Sequence, residues 1–355
     1  MKKIRLSYLV FAALTVAALA LSACGPAATT AAPVPTQPPQ PTTPPPTQAP
    51  PPTVTAVPPT PVPPTEVPLG SAEKPIIMAL APSATTQELI ASGDAIAKQI
   101  SDITGYTIKT TVPTSYAALV EAMGSGNAQI GWLPTVPYIV AHQKGYADVG
   151  LVVLRSGADH YGFELIANKD AGFTSFYDAT AGKDTADAAT ALAQFAGKKP
   201  CYTDPLSSSG YLVPAGFLAN AKIKTLAGAW VQGHSTVVKS IYLSPKGEIC
   251  NFGATFIDAR SGIAKDFPDV NDKVQIIWVS DAIIPNDTVS YAKDLPADVR
   301  QKITDAILQM TKTDAGKAAL NSVYQVSDVK QVDDSFYDDY RVYLEAIHFD
   351  VNSYK

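Results

Sequence analysis

Three short hydroxyl-rich stretches carry the chemistry this sequence offers. They are Asp204-Pro205-Leu206-Ser207-Ser208-Ser209-Gly210, Gly233-His234-Ser235-Thr236 and Thr114-Ser115-Tyr116. Each stands between a strand-like run and a helical pattern, so each reads as a strand-to-helix turn. Hydroxyls at a helix start lie beside unpaired backbone N–H groups and the positive end of the dipole, which together make an anion site. His234 adds a ring nitrogen. Ser and Thr also cap helices with no ligand in view, but three such turns, one with a histidine, favour a shared ligand. No Lys or Arg falls within them, so hydroxyls, backbone N–H groups and dipoles are expected to hold the anion. The rival is a serine hydrolase, with Ser208, His234 and Asp258 drawn as a triad. No G-x-S-x-G elbow is present, and a row of three serines suits a cradle better than one activated nucleophile. Arg155, Arg260 and Arg300 stand in no motif. His142, His160 and His348 are scattered and read as surface or structural. Trp132, Trp230 and Trp278 lie in or beside apolar strands and read as core.

The elements that position these turns alternate. Ile76–Leu80, Tyr106–Val112, Gln129–Leu133, Val149–Leu154 and Gly162–Ala167 read as strands, with helices after Thr85, Thr114 and Thr135. A second unit repeats the rhythm. Its strands are 199–202, 226–231, 251–257 and 274–279, and its helices are 186–195, 210–221 and 235–243. Helices over 296–310 and 336–346 close the chain and are expected to return to the first unit. This is an α/β chain with mostly parallel sheets: two lobes, 72–168 with 285–355 and 169–284, crossed twice, near Asn168 and at Ala282–Pro285. Two crossings make a hinge with a ligand cleft between the lobes, beyond the carboxyl ends of the strands.

Outside this region the sequence is of another kind. Lys2, Lys3 and Arg5 precede an apolar run, Leu6–Leu21, and the small residues Ser22-Ala23-Cys24 follow, the pattern of a signal peptide over 1–23. The run is short for a membrane span, which needs ~20 residues. Leu21-Ser22-Ala23-Cys24 resembles a lipobox, so Cys24 is the candidate lipidated residue and the protein is expected on the extracytoplasmic face, held to the membrane by lipid. From Cys24 to Ser71 follows a Pro/Thr-rich linker, holding 18 of the 30 prolines before Gly70. Such a composition cannot bury a core and extends as a tether. A net charge of −5 with no basic run excludes nucleic acid. With Cys24 as anchor, Cys201 and Cys250 remain, a candidate disulfide in an oxidising compartment. Two thiols without a CxxC motif or nearby histidines exclude a zinc site, and no cofactor or metal is expected.

The turn 204–210 with Leu212-Val213-Pro214, then Gly233-His234-Ser235, Gly253-Ala254-Thr255, Ile284-Pro285-Asn286-Asp287 and Val332-Asp333-Asp334-Ser335-Phe336-Tyr337 occur in one order. In these motifs, over Ile76–Asp350, the chain resembles the phosphonate/phosphate/phosphite-binding proteins of ABC importers, a branch of the two-lobed type II periplasmic-binding-protein fold. The resemblance implies a solute-binding protein, not an enzyme, that hands a small phosphorus oxyanion to a permease. It implies that Ser207, Ser208 and Ser209 bind the phosphonyl oxygens, joined by His234, Tyr116, Tyr161 and Asp287, with Asp258 as a further acid. Cys250 and Asn251 stand where an acidic residue is common, leaving Asp258 as the only candidate on that side for a ligand amine. An acceptor carboxylate at Asp287 is expected to favour a protonatable oxyanion over sulfate. A sulfonate or an amino acid is the alternative ligand.

Overall fold

The computed structural model describes residues 66–350. The expected signal peptide, Cys24 and the linker up to residue 65 lie outside the described residues. The linker expectation is corrected at its end. Leu69 packs against the core, and Gly70 bonds with Lys74 and Thr107, so the folded region begins ahead of Ser71.

Among the described residues fifteen strands are formed. In chain order they are β1 Ile76–Leu80, β2 Ile108–Thr111, β3 Ile130–Leu133, β4 Ala147–Leu154, β5 His160–Tyr161, β6 Phe163–Asn168, β7 Tyr177–Asp178 and β8 Lys183–Asp184. There follow β9 Pro200–Tyr202, β10 Ala229–Trp230, β11 Phe252–Phe256, β12 Val274–Val279, β13 Ile284–Pro285, β14 Thr288–Ala292 and β15 Asp328–Gln331. Two sheets build two lobes of a mixed α/β fold, with strand orders β15-β4-β14-β3-β1-β2 and β10-β9-β11-β6-β12.

The helices start where the sequence supplies caps. Thr85 accepts from the Glu88 N–H and its hydroxyl donates to the Glu88 carboxylate, a side-chain N-cap, and the helix Thr86–Thr104 stops at Gly105 in the left-handed region. The cap of Tyr116–Gly124 is Ser115, not the expected Thr114. Large side chains fill the interiors: Trp132, Tyr138 and Tyr291 in the first lobe, Phe163, Phe195 and Phe252 in the second. Trp230 departs from its core reading. It is 48% exposed and leans on Tyr202 and Tyr211 at a sheet edge.

Three expectations are corrected. The sheets are mixed rather than mostly parallel: β14 runs antiparallel to both β3 and β4, and β6 antiparallel to both β11 and β12. These are the strands that enter each lobe directly from the other, against the direction of the βαβ strands. The first crossing lies at β5, not near Asn168, because β6 belongs to the second sheet; β5 pairs with β13, and this two-stranded ribbon is the hinge. The chain also crosses a third time. β15 adds an unexpected strand to the first sheet and Asp334 accepts from the Tyr138 hydroxyl, yet the final helix, Asp338–Ala346, leans on the second lobe. There the Tyr343 hydroxyl bonds the Val213 carbonyl, and a Cβ on Gly216 would lie only 2.7 Å from that hydroxyl. Cys201 and Cys250 form a disulfide with Cα atoms 5.5 Å apart, tying β9 to the entrance of the neighbouring β11. In a chain-entropy picture, closing 49 residues contributes about 4 kcal/mol.

Candidate functional site

The serine turn follows β9. Ser207 accepts the Gly210 N–H at 3.1 Å, and the chain then winds Ser208–Leu212 as a π turn before the α-helix Val213–Asn220. The wide turn has a local cause. Pro214 has no N–H to give the Gly210 carbonyl, which takes the Thr203 N–H instead. Gly210 is required here, since a Cβ would sit 2.0 Å from Thr203 Oγ1 and 2.7 Å from Ser207 Oγ. Ser207, Ser208 and Ser209 are all buried. Ser208 Oγ has no hydrogen-bond partner, and neither has the buried hydroxyl of Tyr340 beside it; the two approach without hydrogen-bond geometry. A buried hydroxyl left unpaired costs ~1–3 kcal/mol, a cost that a ligand oxygen would remove.

His234 opens the helix His234–Tyr242 after Gly233, whose φ of 81° suits glycine. Its Nδ1 receives the Phe256 N–H at 3.3 Å and lies 2.8 Å from Thr255 Oγ1. A nitrogen that accepts a backbone N–H carries no proton, so the proton sits on Nε2 and the threonine hydroxyl donates as well. Burial, then the nearby Arg155 charge, push its pKa down to about 3. His234 is thus a neutral Nε2–H donor whose other lone pair is occupied.

Two contacts tie the lobes across the cleft. The His234 N–H reaches the Ser83 carbonyl at 3.3 Å, and the Tyr116 N–H reaches Asp204 Oδ2 at 3.3 Å. The described lobes are closed on each other, with Tyr116 buried between them. Tyr161 lies beside Ser209, its ring 5.5 Å from the Arg155 guanidinium. Burial first, then the charge of Asp287, hold the Tyr116, Tyr161 and Tyr324 hydroxyls well above their ordinary range, so all three stay neutral.

Asp287 is buried beside these groups, but not as a lone acceptor. Arg155 Nη2 donates to its Oδ2 at 2.6 Å. The expectation of a site without a cationic side chain therefore fails through Arg155, which no motif marked. Asp258 is not brought to the site. Its side chain is 64% exposed near Arg260, because the residue turns in the left-handed region at the end of β11. The buried acid on that side is Glu164 of β6, opposite Thr255, accepting the Asp258 N–H at 3.1 Å. A charged residue inside the apolar run Phe163–Asn168 was its sequence signal; Tyr324 and Tyr340 had none.

This arrangement binds rather than reacts. The drawn triad does not assemble: Asp258 faces solvent, and the His234 lone pair that would take a serine proton is already used. Neutral hydroxyls, an imidazole N–H and one compensated ion pair come together where the lobes meet, a set of groups able to hydrogen-bond an oxyanion.

Two α/β lobes hinged about such a cleft define a solute-binding protein of the type II periplasmic fold. Residues 78–337 match the family described as ABC transporter, phosphonate, periplasmic substrate-binding protein, and the chain belongs to that family. It is 27% identical over 221 residues to the phosphate-import protein PhnD of Mycolicibacterium smegmatis, covering 59% of this chain and 63% of that protein. It is 24% identical over 221 residues to the phosphonates-binding periplasmic protein of Escherichia coli, covering 61% and 60%. The chain thus spans less than two thirds of the length of these relatives. Among solved structures, the fold is similar to a binding protein component of an ABC phosphonate transporter from Pseudomonas aeruginosa, with a TM-score of 0.62 at 20% identity over 76% of this chain and 88% of that one. It is also similar to PhnD1 from Prochlorococcus marinus in complex with methylphosphonate, with a TM-score of 0.64 at 13% identity over 78% and 98%.

Proposed function

We propose that this protein captures a small phosphorus oxyanion (a phosphonate, phosphite or phosphate) outside the cytoplasm and delivers it to the permease of an ABC importer. The carrying observation is the set of buried neutral donors gathered between the lobes: Ser208 Oγ without a partner, and His234 fixed as an Nε2–H donor. Tyr116, Tyr161, Ser207 and Ser209 complete the binding set. The family membership and the named ligands of its relatives support the same reading. The lipobox at Cys24 and the proline-rich tether support a lipid-anchored protein on the extracytoplasmic face.

The test is a thermal-shift panel of phosphate, phosphite, methylphosphonate, 2-aminoethylphosphonate, methanesulfonate, sulfate and a set of amino acids. A ligand at 100 times its Kd adds ~2.7 kcal/mol to stability, a shift such a panel resolves. At least one phosphorus compound should stabilise the protein more than any sulfur compound. Stabilisation by methanesulfonate or an amino acid, with none by phosphorus compounds, would replace this reading with the corresponding solute.

A further inference from the structure

The charge in this cleft is arranged around one ion pair. Arg155 follows β4 in the tight turn that leads into the hinge. Its Nε donates to the Tyr324 carbonyl at 2.7 Å, Nη1 to Asn286 Oδ1 at 3.4 Å and Nη2 to Asp287 Oδ2 at 2.6 Å. Asn286 is itself fixed, its amide donating to the carbonyls of Val153 at 3.1 Å and Ala158 at 2.8 Å. The guanidinium is therefore clamped from three sides, with the Tyr161 ring on a fourth. Of the other acids nearby, Asp204 accepts the N–H groups of Leu206 and Tyr116, and Glu164 accepts that of Asp258 through Oε2 while its Oε1 has no partner.

A buried carboxylate without a partner repels an anion and attracts an ammonium. Here the counter-cation comes from the protein. We propose that Arg155 is the specificity-determining residue of this site: by pairing with Asp287 inside the cleft, it selects an oxyanion that carries no cation of its own and rejects aminoalkyl phosphonates. The inference rests on the phosphorus-oxyanion reading above. A ligand ammonium placed to reach Asp287 meets the guanidinium within hydrogen-bonding range of the same carboxylate, and neither cation gains from the other. A plain oxyanion meets a compensated pair and a ring of neutral donors.

The test is calorimetric titration of methylphosphonate and 2-aminoethylphosphonate, which share the phosphonyl group and differ in a cation. Wild-type protein should prefer methylphosphonate by about tenfold or more, one decade in Kd. Arg155→Met, which exposes Asp287 to the ligand, should weaken methylphosphonate by at least about tenfold and turn the preference toward the amine. Arg155→Met/Asp287→Asn should recover methylphosphonate without recovering the amine. Asp287→Asn alone keeps the cation and covers the case in which Arg155→Met fails to fold; with the guanidinium no longer compensated, the ratio of the two affinities should widen further in favour of methylphosphonate. Equal wild-type affinities, an unchanged ratio in Arg155→Met, or a ratio that narrows in Asp287→Asn would each overturn the role of Arg155. Where phosphate or phosphite binds in place of methylphosphonate, it serves as the plain oxyanion in the same comparison; wild-type binding of none of the four would overturn instead the reading of the site as a phosphorus-oxyanion site.

Discussion

Burial and the Arg155 charge press the His234 imidazole toward its neutral form, and the Phe256 N–H on Nδ1 decides which nitrogen keeps the proton. The donor strength of His234 therefore does not change with pH in the physiological range. Its ring protons in NMR spectra should show no titration between about pH 5 and 8; a midpoint near the ordinary value of about 6.5 would mean an exposed, chargeable ring. Replacing His234 with Ala should leave the fold intact and weaken the phosphorus ligand by roughly 10- to 150-fold, the loss of a hydrogen bond to a charged group, ~1.5–3 kcal/mol. Calorimetry returning wild-type affinity would reduce His234 to a helix-start residue. Its spacing from Thr255 and Phe256 depends on β11 lying against its helix, which no local pattern specifies.

At the scale of elements, β6 carries an acid in a place that favours an apolar residue. Glu164 is fully buried, and burial pushes its pKa up to about 7, partly offset by the Asp258 N–H. A carboxyl raised above its unfolded value of about 4.5 adds no penalty when protonated in both states. Its cost to the fold grows as pH rises through the window from about 4.5 to about 7. The full shift corresponds to about 3 kcal/mol. Between pH 5 and pH 8 the change in denaturant midpoint should be less favourable in the wild type than in Glu164→Gln, which keeps an acceptor for Asp258 and shares every other titrating group. Parallel pH dependence in the two proteins would count against a buried ionising Glu164. His234 acts in the opposite sense: its lowered pKa costs stability as pH falls below about 6.5, the unfolded value. Between about pH 4.5 and 6.5 the two slopes oppose and largely cancel, so the Glu164 cost is read from the difference between wild type and Glu164→Gln.

The molecule as a whole is held together at three places where the chain passes between lobes: β5, β13 and the segment ahead of the final helix. The first two form a short antiparallel ribbon that can flex. The third rests on Tyr138–Asp334 at one end and Tyr343–Val213 at the other, so it restrains how far the lobes part. The closed contacts His234–Ser83 and Tyr116–Asp204 are single hydrogen bonds, worth ~1 kcal/mol net for the first and ~1.5–3 kcal/mol for the second, which ends on a carboxylate, a small hold on the cleft without a ligand. Small-angle scattering should give a larger radius of gyration for the ligand-free protein than at saturating phosphorus ligand. The same value in both states would mean that the third crossing locks the lobes.

Local patterns determined much of this protein. Caps, glycine stops and β-branched runs placed most helices and strands, the serine row and Gly233-His234 marked two of the turns proposed to hold the ligand, and the count of cysteines left one pair to bond. These features are legible because each depends on neighbours within a few residues in the chain. Tertiary structure decided the rest. Whether β6 belonged to the first lobe or the second depended on its pairing with β11 and β12, more than 80 residues away. Asp258 and Glu164 exchanged places as the buried acid because a left-handed residue turned one outward and a strand carried the other inward. Arg155 and Asp287 stand 132 residues apart. Their pairing is a property of the hinge, where the two chain passages lie side by side, and no spacing in the sequence encodes it.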